Sequence, residues 1–155
     1  MSVLVREQFV PKPKSEVFAF FADAGNLERL TPRSLHFKIK TPLPIAMHAG
    51  TLIDYRISLF GIGLNWRTLI EVFEPERIFV DVQIKGPYRL WRHTHEFIST
   101  DGGTVVRDRV EYEVPLGPLG RLARGAFVDR YLSEIFDFRR QAIESIFGGG
   151  YAPHV

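Results

Sequence analysis

The chain has 155 residues, 45% of them hydrophobic and 25% charged, and 20 Lys and Arg against 18 Asp and Glu leave a formal charge of +2. This is the make-up of a single globular domain, expected over residues 1–147 with a mobile tail at 148–155, and the near balance of charge gives no reason to expect a nucleic-acid partner. The absence of cysteine excludes a disulfide framework, a thiolate zinc site and a thiol nucleophile.

The aromatic load is unusual: 13 Phe, 5 Tyr and 2 Trp point to a bulky core or an apolar cavity. The longest apolar run, Val17 to Ala22, has six residues, whereas a membrane-spanning helix needs about 20. The N-terminus lacks a basic stretch followed by an apolar segment, so no secretory signal is read and a cytoplasmic location is expected.

Val3 to Val10 alternate, with Val3, Val5 and Phe9 on one face and Arg6 and Gln8 on the other, as in a half-buried strand. Pro11 and Pro13 end it, and two short helices follow, Ser15 to Asp23 and Asn26 to Leu30. From Leu35 the period becomes two. Phe37 and Ile39 share a face, then Ile53, Tyr55, Ile57 and Leu59, then Trp66, Thr68, Ile70 and Val72. Ile78, Val80, Val82 and Ile84 follow, alternating with Asp81, Gln83 and Lys85. Tyr88 to Ser99 is a longer strand. The Asp101-Gly102-Gly103 signal turns it into Thr104 to Val114, with a turn at Gly102-Gly103 placing Asp108 opposite Phe97 and diagonal to His95. Beyond Pro118 the pattern is helical to Phe147, with an irregular start expected before Gly125, and its apolar positions fill a wide arc.

These elements describe an α+β protein: seven strands, two short helices after the first, and one long C-terminal helix. An antiparallel meander exposes a large apolar face, and only the terminal helix is long enough to cover it. A sheet folded around a helix leaves space between them.

The element order, the opening Phe9-Val10-Pro11 with Val17 to Phe21 and Asn26-Leu27-Glu28-Arg29-Leu30-Thr31-Pro32, and the later Trp91-Arg92-His93-Thr94-His95-Glu96-Phe97 resemble the SRPBCC superfamily of START-like, birch-pollen-allergen helix-grip proteins. Within it the chain is similar to bacterial ligand-binding members of the cyclase/dehydrase-like group, from about Val3 to Phe147. The resemblance implies a seven-stranded antiparallel sheet gripping the C-terminal helix around a largely apolar cavity. It implies no single activity, since the superfamily spans lipid carriers, receptors, quinone-binding proteins and aromatic polyketide cyclases.

Trp91, His93, His95 and Phe97 share one strand face, and Val106, Asp108, Val110 and Tyr112 share the facing one. If both faces point inward, two imidazoles enter an apolar space where polar groups need partners, and a His95–Asp108 hydrogen bond is expected. On the terminal helix Arg139 falls near the middle of the apolar arc, where it requires an inward carboxylate such as Asp108 or an anionic ligand group. The residues expected to contact a ligand are Tyr55, Trp66, Thr68, Trp91, His93, His95, Phe97, Asp108, Tyr112, Leu132, Ile135 and Arg139.

Three readings stay open. The first is binding or carriage of a small hydrophobic molecule (lipid, quinone or polyketide-like). The second is a cyclase, aromatase or dehydratase with His95 as general base and Asp108 orienting it. The third is an interaction module, such as a quinone-handling accessory or regulatory partner, in which the pocket serves protein contact. Separately, the chain is expected to be a monomer or a homodimer. Against any ligand role stands the plainer one, in which the histidines are satisfied core residues and Arg139–Asp108 is a buried ion pair. No cofactor is expected. Two histidines at i and i+2 do not make a metal site without a third ligand and supporting shell, Gly61-Ile62-Gly63 lacks the third glycine of a dinucleotide loop, and the serines show no nucleophile pattern. The arginines of the C-terminal segment are interspersed with acids, as on a solvated helix face.

Overall fold

The computed structural model describes residues 1–59, 61–115, 117 and 127–148. Among them, seven strands form one antiparallel sheet: β1 (Ser2–Val10), β2 (Lys38–Ile39), β3 (Leu52–Leu59), β4 (Ile62–Glu74), β5 (Ile78–Lys85), β6 (Leu90–Thr100) and β7 (Gly103–Glu113). Their order across the sheet is β1-β7-β6-β5-β4-β3-β2, a meander from β2 to β7 with β1 laid beside β7.

Helix α1 (Lys14–Phe21) follows β1 and buries Val17, Phe18 and Phe21. The second short helix is a 3₁₀ segment, Ala24–Leu30, whose start is capped by the Asp23 carboxylate accepting from Gly25 N–H at 2.9 Å. A further 3₁₀ turn covers Arg33–Leu35. Helix α2 (Asp129–Phe147) crosses the inner face of the sheet and buries Leu132, Phe136, Arg139 and Ile143, spaced at the helical repeat so that they form one stripe. The irregular start expected before Gly125 and the tail from residue 149 lie outside the described residues. No helix among the described residues is long and apolar enough to cross a membrane.

Polar contacts fasten α2 to β1. Gln8 Nε2 donates to the Arg140 carbonyl and Arg140 Nη2 donates to the Glu7 carbonyl, each at 2.9 Å. They exist because β1 turns Leu4, Arg6, Gln8 and Val10 toward the helix, while Val3 and Val5 face outward. A half-exposed valine costs little on a pleated surface, whereas the inward polar groups find backbone partners.

Three details of the sheet depart from the simple alternation. On β5 the inward residues are Phe79, Asp81 and Gln83, while Ile84 is exposed. Gln83 closes the turn that follows: its Nε2 donates to Tyr88 O at 2.7 Å and its Oε1 accepts from Tyr88 N–H at 3.1 Å. On β4 the register shifts between Ile70 and Val72, which brings Phe73 opposite Phe79 and onto the inner side, against Phe18. Such a bulge moves one residue to the other face.

The third departure sets the site. The β6–β7 turn is Asp101-Gly102, with Gly102 at φ +79° and Thr100 opposite Gly103. His95 therefore faces Asp108, and Phe97 faces Val106. Gly102 takes the left-handed position that turns the chain, and Gly103 opens β7, where a Cβ would lie 2.1 Å from the Val10 carbonyl oxygen. The turn therefore closes one residue earlier than Gly102-Gly103, on the Asp-Gly pair that suits a two-residue hairpin, and the approach of β1 leaves residue 103 no room for a side chain.

Two apolar clusters flank the inner face. One gathers Val10, Val17, Phe18, Phe21, Phe79, Phe97, Val106 and Ile143; the other gathers Val110, Tyr112, Leu132 and Phe136. Between them the strands place Asp81, His93, His95 and Asp108, and α2 adds Arg139.

Candidate functional site

A cavity of about 190 Å³ lies between the inner face of the sheet and α2. Its walls are mostly rings and aliphatic chains, among them Phe21, Leu30, Ile53, Ile70, Phe79 and Phe136. Of the residues expected to contact a ligand, Tyr55, Trp66, Thr68, Trp91, His93, His95, Leu132, Ile135 and Arg139 line this space. Phe97, Asp108 and Tyr112 do not. Phe97 is packed between Phe18, Phe21 and Phe79, Tyr112 donates to Asp129 of α2, and Asp108 is buried behind the wall that His93 and Arg139 form.

The aromatic wall runs across the sheet. Tyr55 stacks on Trp66, Trp66 meets Trp91 edge to face, Trp91 meets the edge of His93, and the His93 and His95 rings stack with centroids 3.7 Å apart. Phe79 covers the other face of His95 at 4.0 Å.

The imidazoles are held by two carboxylates. His93 Nε2–H donates to Asp108 Oδ1 at 2.8 Å, and His95 Nε2–H donates to Asp81 Oδ2 at 2.6 Å. An ionised carboxylate only accepts, which places the proton of each bond on nitrogen. The expected His95–Asp108 hydrogen bond is not formed: His95 Nδ1 stands 3.5 Å from Asp108 Oδ1 and is without a hydrogen-bond partner among the described residues. His95, wedged between Phe79 and His93, turns its edge toward Asp81, and Asp108 is taken by the diagonal neighbour His93. Asp81 is the member that the alternation of β5 hides, because it sits in a run whose other face carries more aliphatic residues.

Arg139 completes the group. Only 9% exposed, it places Nη2 3.5 Å from Asp108 Oδ1 and lies over the rings of Phe21 and Phe136. Its Nε–H has no partner among the described residues.

Burial would raise the pKa of both carboxylates, but charged neighbours outweigh it. Asp108 is held below the ordinary carboxylate range by Arg139 and by the His93 hydrogen bond, and Asp81 by its bond from His95 and the charge of His93. His95 is lowered as well, here by burial itself: desolvation, helped by the charge of His93, pushes its pKa down to about 4 despite Asp81. Burial also raises the Tyr55 and Tyr88 phenols well above their usual values, so both stay neutral.

Asp81, His93 and His95 each offer a ligand atom within 4.8 Å of the others. The two imidazoles stack, so their in-plane lone pairs run alongside one another rather than meeting at one point, and Arg139 already brings positive charge to the cluster. The arrangement suits proton exchange better than cation binding.

A family model described as polyketide cyclase / dehydrase and lipid transport matches residues 10–138. No curated protein matches the chain. Among solved structures, TTHA0849 from Thermus thermophilus is similar at 18% identity with a TM-score of 0.74, covering 93% of this chain and 95% of that one. A START superfamily protein from Mycobacterium smegmatis is similar at 12% identity and TM-score 0.71, over 94% and 96%. The di-domain ARO/CYC StfQ of the steffimycin biosynthetic pathway is similar at 15% identity and TM-score 0.69, over 94% of this chain and 50% of its own. At these identities the likeness is one of fold.

Proposed function

Because the chain belongs to the polyketide cyclase/dehydrase and lipid transport family, we propose that it is an acid–base enzyme of the cyclase or dehydratase type, acting on a small hydrophobic ketone held between the sheet and α2. The observation that carries this reading is His93. It lines the cavity, one of its nitrogens is held by a buried carboxylate, and the other, Nδ1, makes no hydrogen bond among the described residues. This is the arrangement of a general base with its orienting group. It assigns to His93 the role that spacing alone suggests for His95, with Asp108 still the orienting acid.

The chemistry follows from the positions. His93 Nδ1 takes a proton from the carbon beside the substrate carbonyl. The imidazolium so formed lies between Asp108, bonded to Nε2–H, and Asp81, whose Oδ2 is 3.9 Å from Nδ1. The electron pair left on carbon moves onto the carbonyl oxygen, where Arg139 Nε–H is a buried donor available to it. The enolate adds to a second carbonyl of the same molecule, the new carbon–carbon bond closes the ring, and the alkoxide recovers the proton from His93. Loss of water from the resulting alcohol uses the same pair in reverse order. StfQ, an ARO/CYC, is built on the same fold, which supports the reading without specifying a substrate.

Size narrows the substrate. An engineered cavity of about 150 Å³ takes up benzene, so a space of about 190 Å³ suits one or two rings. The test uses 2-tetralone, a bicyclic ketone with exchangeable protons beside its carbonyl, in D2O followed by proton NMR. The wild type should accelerate exchange, and His93→Gln, which keeps a donor for Asp108, should lose about 100-fold or more of that acceleration. A wild type that binds 2-tetralone and exchanges nothing is a carrier, and the enzymatic reading falls.

A further inference from the structure

Trp66 is 5% exposed, lines the cavity from β4, and keeps a buried indole N–H with no hydrogen-bond partner among the described residues. Rings surround it: Tyr55 at 5.7 Å, Tyr88 at 5.8 Å and Trp91 at 5.4 Å. The nearby hydroxyls of Thr68 and Tyr55 are directed to each other, 3.5 Å apart. A buried donor is normally paired, and leaving one unpaired is costly. Arg139 Nε–H is the second such donor on the cavity wall, and it comes from the helix side rather than the sheet. Arg6 Nε also lacks a partner, but Arg6 does not line the cavity.

We infer that Trp66 is a specificity-determining residue: its indole N–H binds an acceptor oxygen of the ligand, separate from the carbonyl oxygen met by Arg139. The preferred ligand is thus a flat one- or two-ring molecule with acceptor oxygens at two separated positions. A hydrocarbon of the same shape leaves both donors unpaired and binds more weakly, because a site built to bond an oxygen discriminates against the analogue that lacks it. The inference rests on the reading above only in requiring that the cavity take a ligand; no proton transfer is involved.

The test is calorimetric titration of the wild type and of Trp66→Phe with three bicyclic probes: tetralin without oxygen, 2-tetralone with one, and 1,4-naphthoquinone with two. The absence of cysteine removes the thiols that would add to the quinone. Expected is a rising affinity from tetralin to naphthoquinone, and a loss of about tenfold for naphthoquinone in Trp66→Phe, with tetralin changed less than about twofold. An equal loss for all three probes would mean that Trp66 only packs against the ligand and overturns the inference, as would a naphthoquinone affinity no higher than that of 2-tetralone. Failure of every probe to bind the folded wild type overturns both this inference and the ligand cavity it presupposes, whereas binding blind to oxygen leaves the cavity standing.

Discussion

His93 bonds Asp108 across a diagonal of the sheet: the residue directly opposite Asp108 is His95, yet the 2.8 Å hydrogen bond comes from His93. His95 is then free to turn to Asp81 on β5. Each imidazole thereby has its own carboxylate, three adjacent strands are tied through side chains, and Arg139 fixes the helix to the same point. The polar seam is placed where the two apolar clusters meet, so its members are largely buried and their interactions are strong.

The ion pair between Arg139 and Asp108 should be strongly coupled. Removing one partner alone, as in Arg139→Met or Asp108→Asn, leaves a buried charge uncompensated and should cost about 3 to 5 kcal/mol. The double variant should cost clearly less than the sum of the two. Urea denaturation of the four proteins measures this. Strict additivity would mean that the two groups do not interact across their 3.5 Å.

Stability should fall on mild acidification. His95 has its folded pKa lowered to about 4 from the ordinary 6.5, so the unfolded chain takes up the proton first as the pH drops. The contribution is complete above pH 6.5 and is lost between 6.5 and about 4, amounting to about 3 kcal/mol. Asp81 and Asp108, both lowered from 3.8, have the same sign and extend the loss below that value. His95→Gln keeps a donor for Asp81 but cannot titrate, and its urea midpoint should be flat across the upper window. An unchanged slope in that variant would assign the acid sensitivity to other groups.

How much of this was legible in the chain depended on what each residue had to satisfy. The strand pattern and the terminal helix follow from hydrophobic period, and Arg139 was conspicuous because a charge in an apolar arc demands a carboxylate. The inward sides of β6 and β7 were equally plain, since each carries its rings on one face only. Asp81 was hidden: Phe79, Val80 and Val82 put apolar residues on both faces of β5, and the side that points inward was decided by the imidazoles waiting on β6. The hairpin register was ambiguous because Gly102 and Gly103 are adjacent, and the second glycine answers the approach of β1, a contact more than ninety residues away in sequence. The unpaired N–H of Trp66 has no sequence signature, because a missing partner is a property of the packed wall.

Gly103 should be intolerant of even one added carbon. A Cβ there meets the Val10 carbonyl oxygen at 2.1 Å and the Phe9 ring at 3.0 Å, and a backbone oxygen inside a ladder has little room to move. Gly103→Ala should destabilise the protein by about 3 kcal/mol through displacement of β1, read as a lower urea midpoint. Wild-type stability in this variant would show that the β1–β7 register can slip without cost.

The most direct measurement of the central claim is a crystal structure of the protein soaked or grown with 2-tetralone. The account predicts the bicyclic ring between the sheet and α2, its carbonyl oxygen within hydrogen-bond distance of Arg139 Nε and the carbon beside it facing His93 Nδ1, with His93 still bonded to Asp108. A ketone seated in the cavity with its carbonyl turned away from Arg139 and His93, or a cavity refilled by its own side chains with the ketone bound elsewhere, would contradict it.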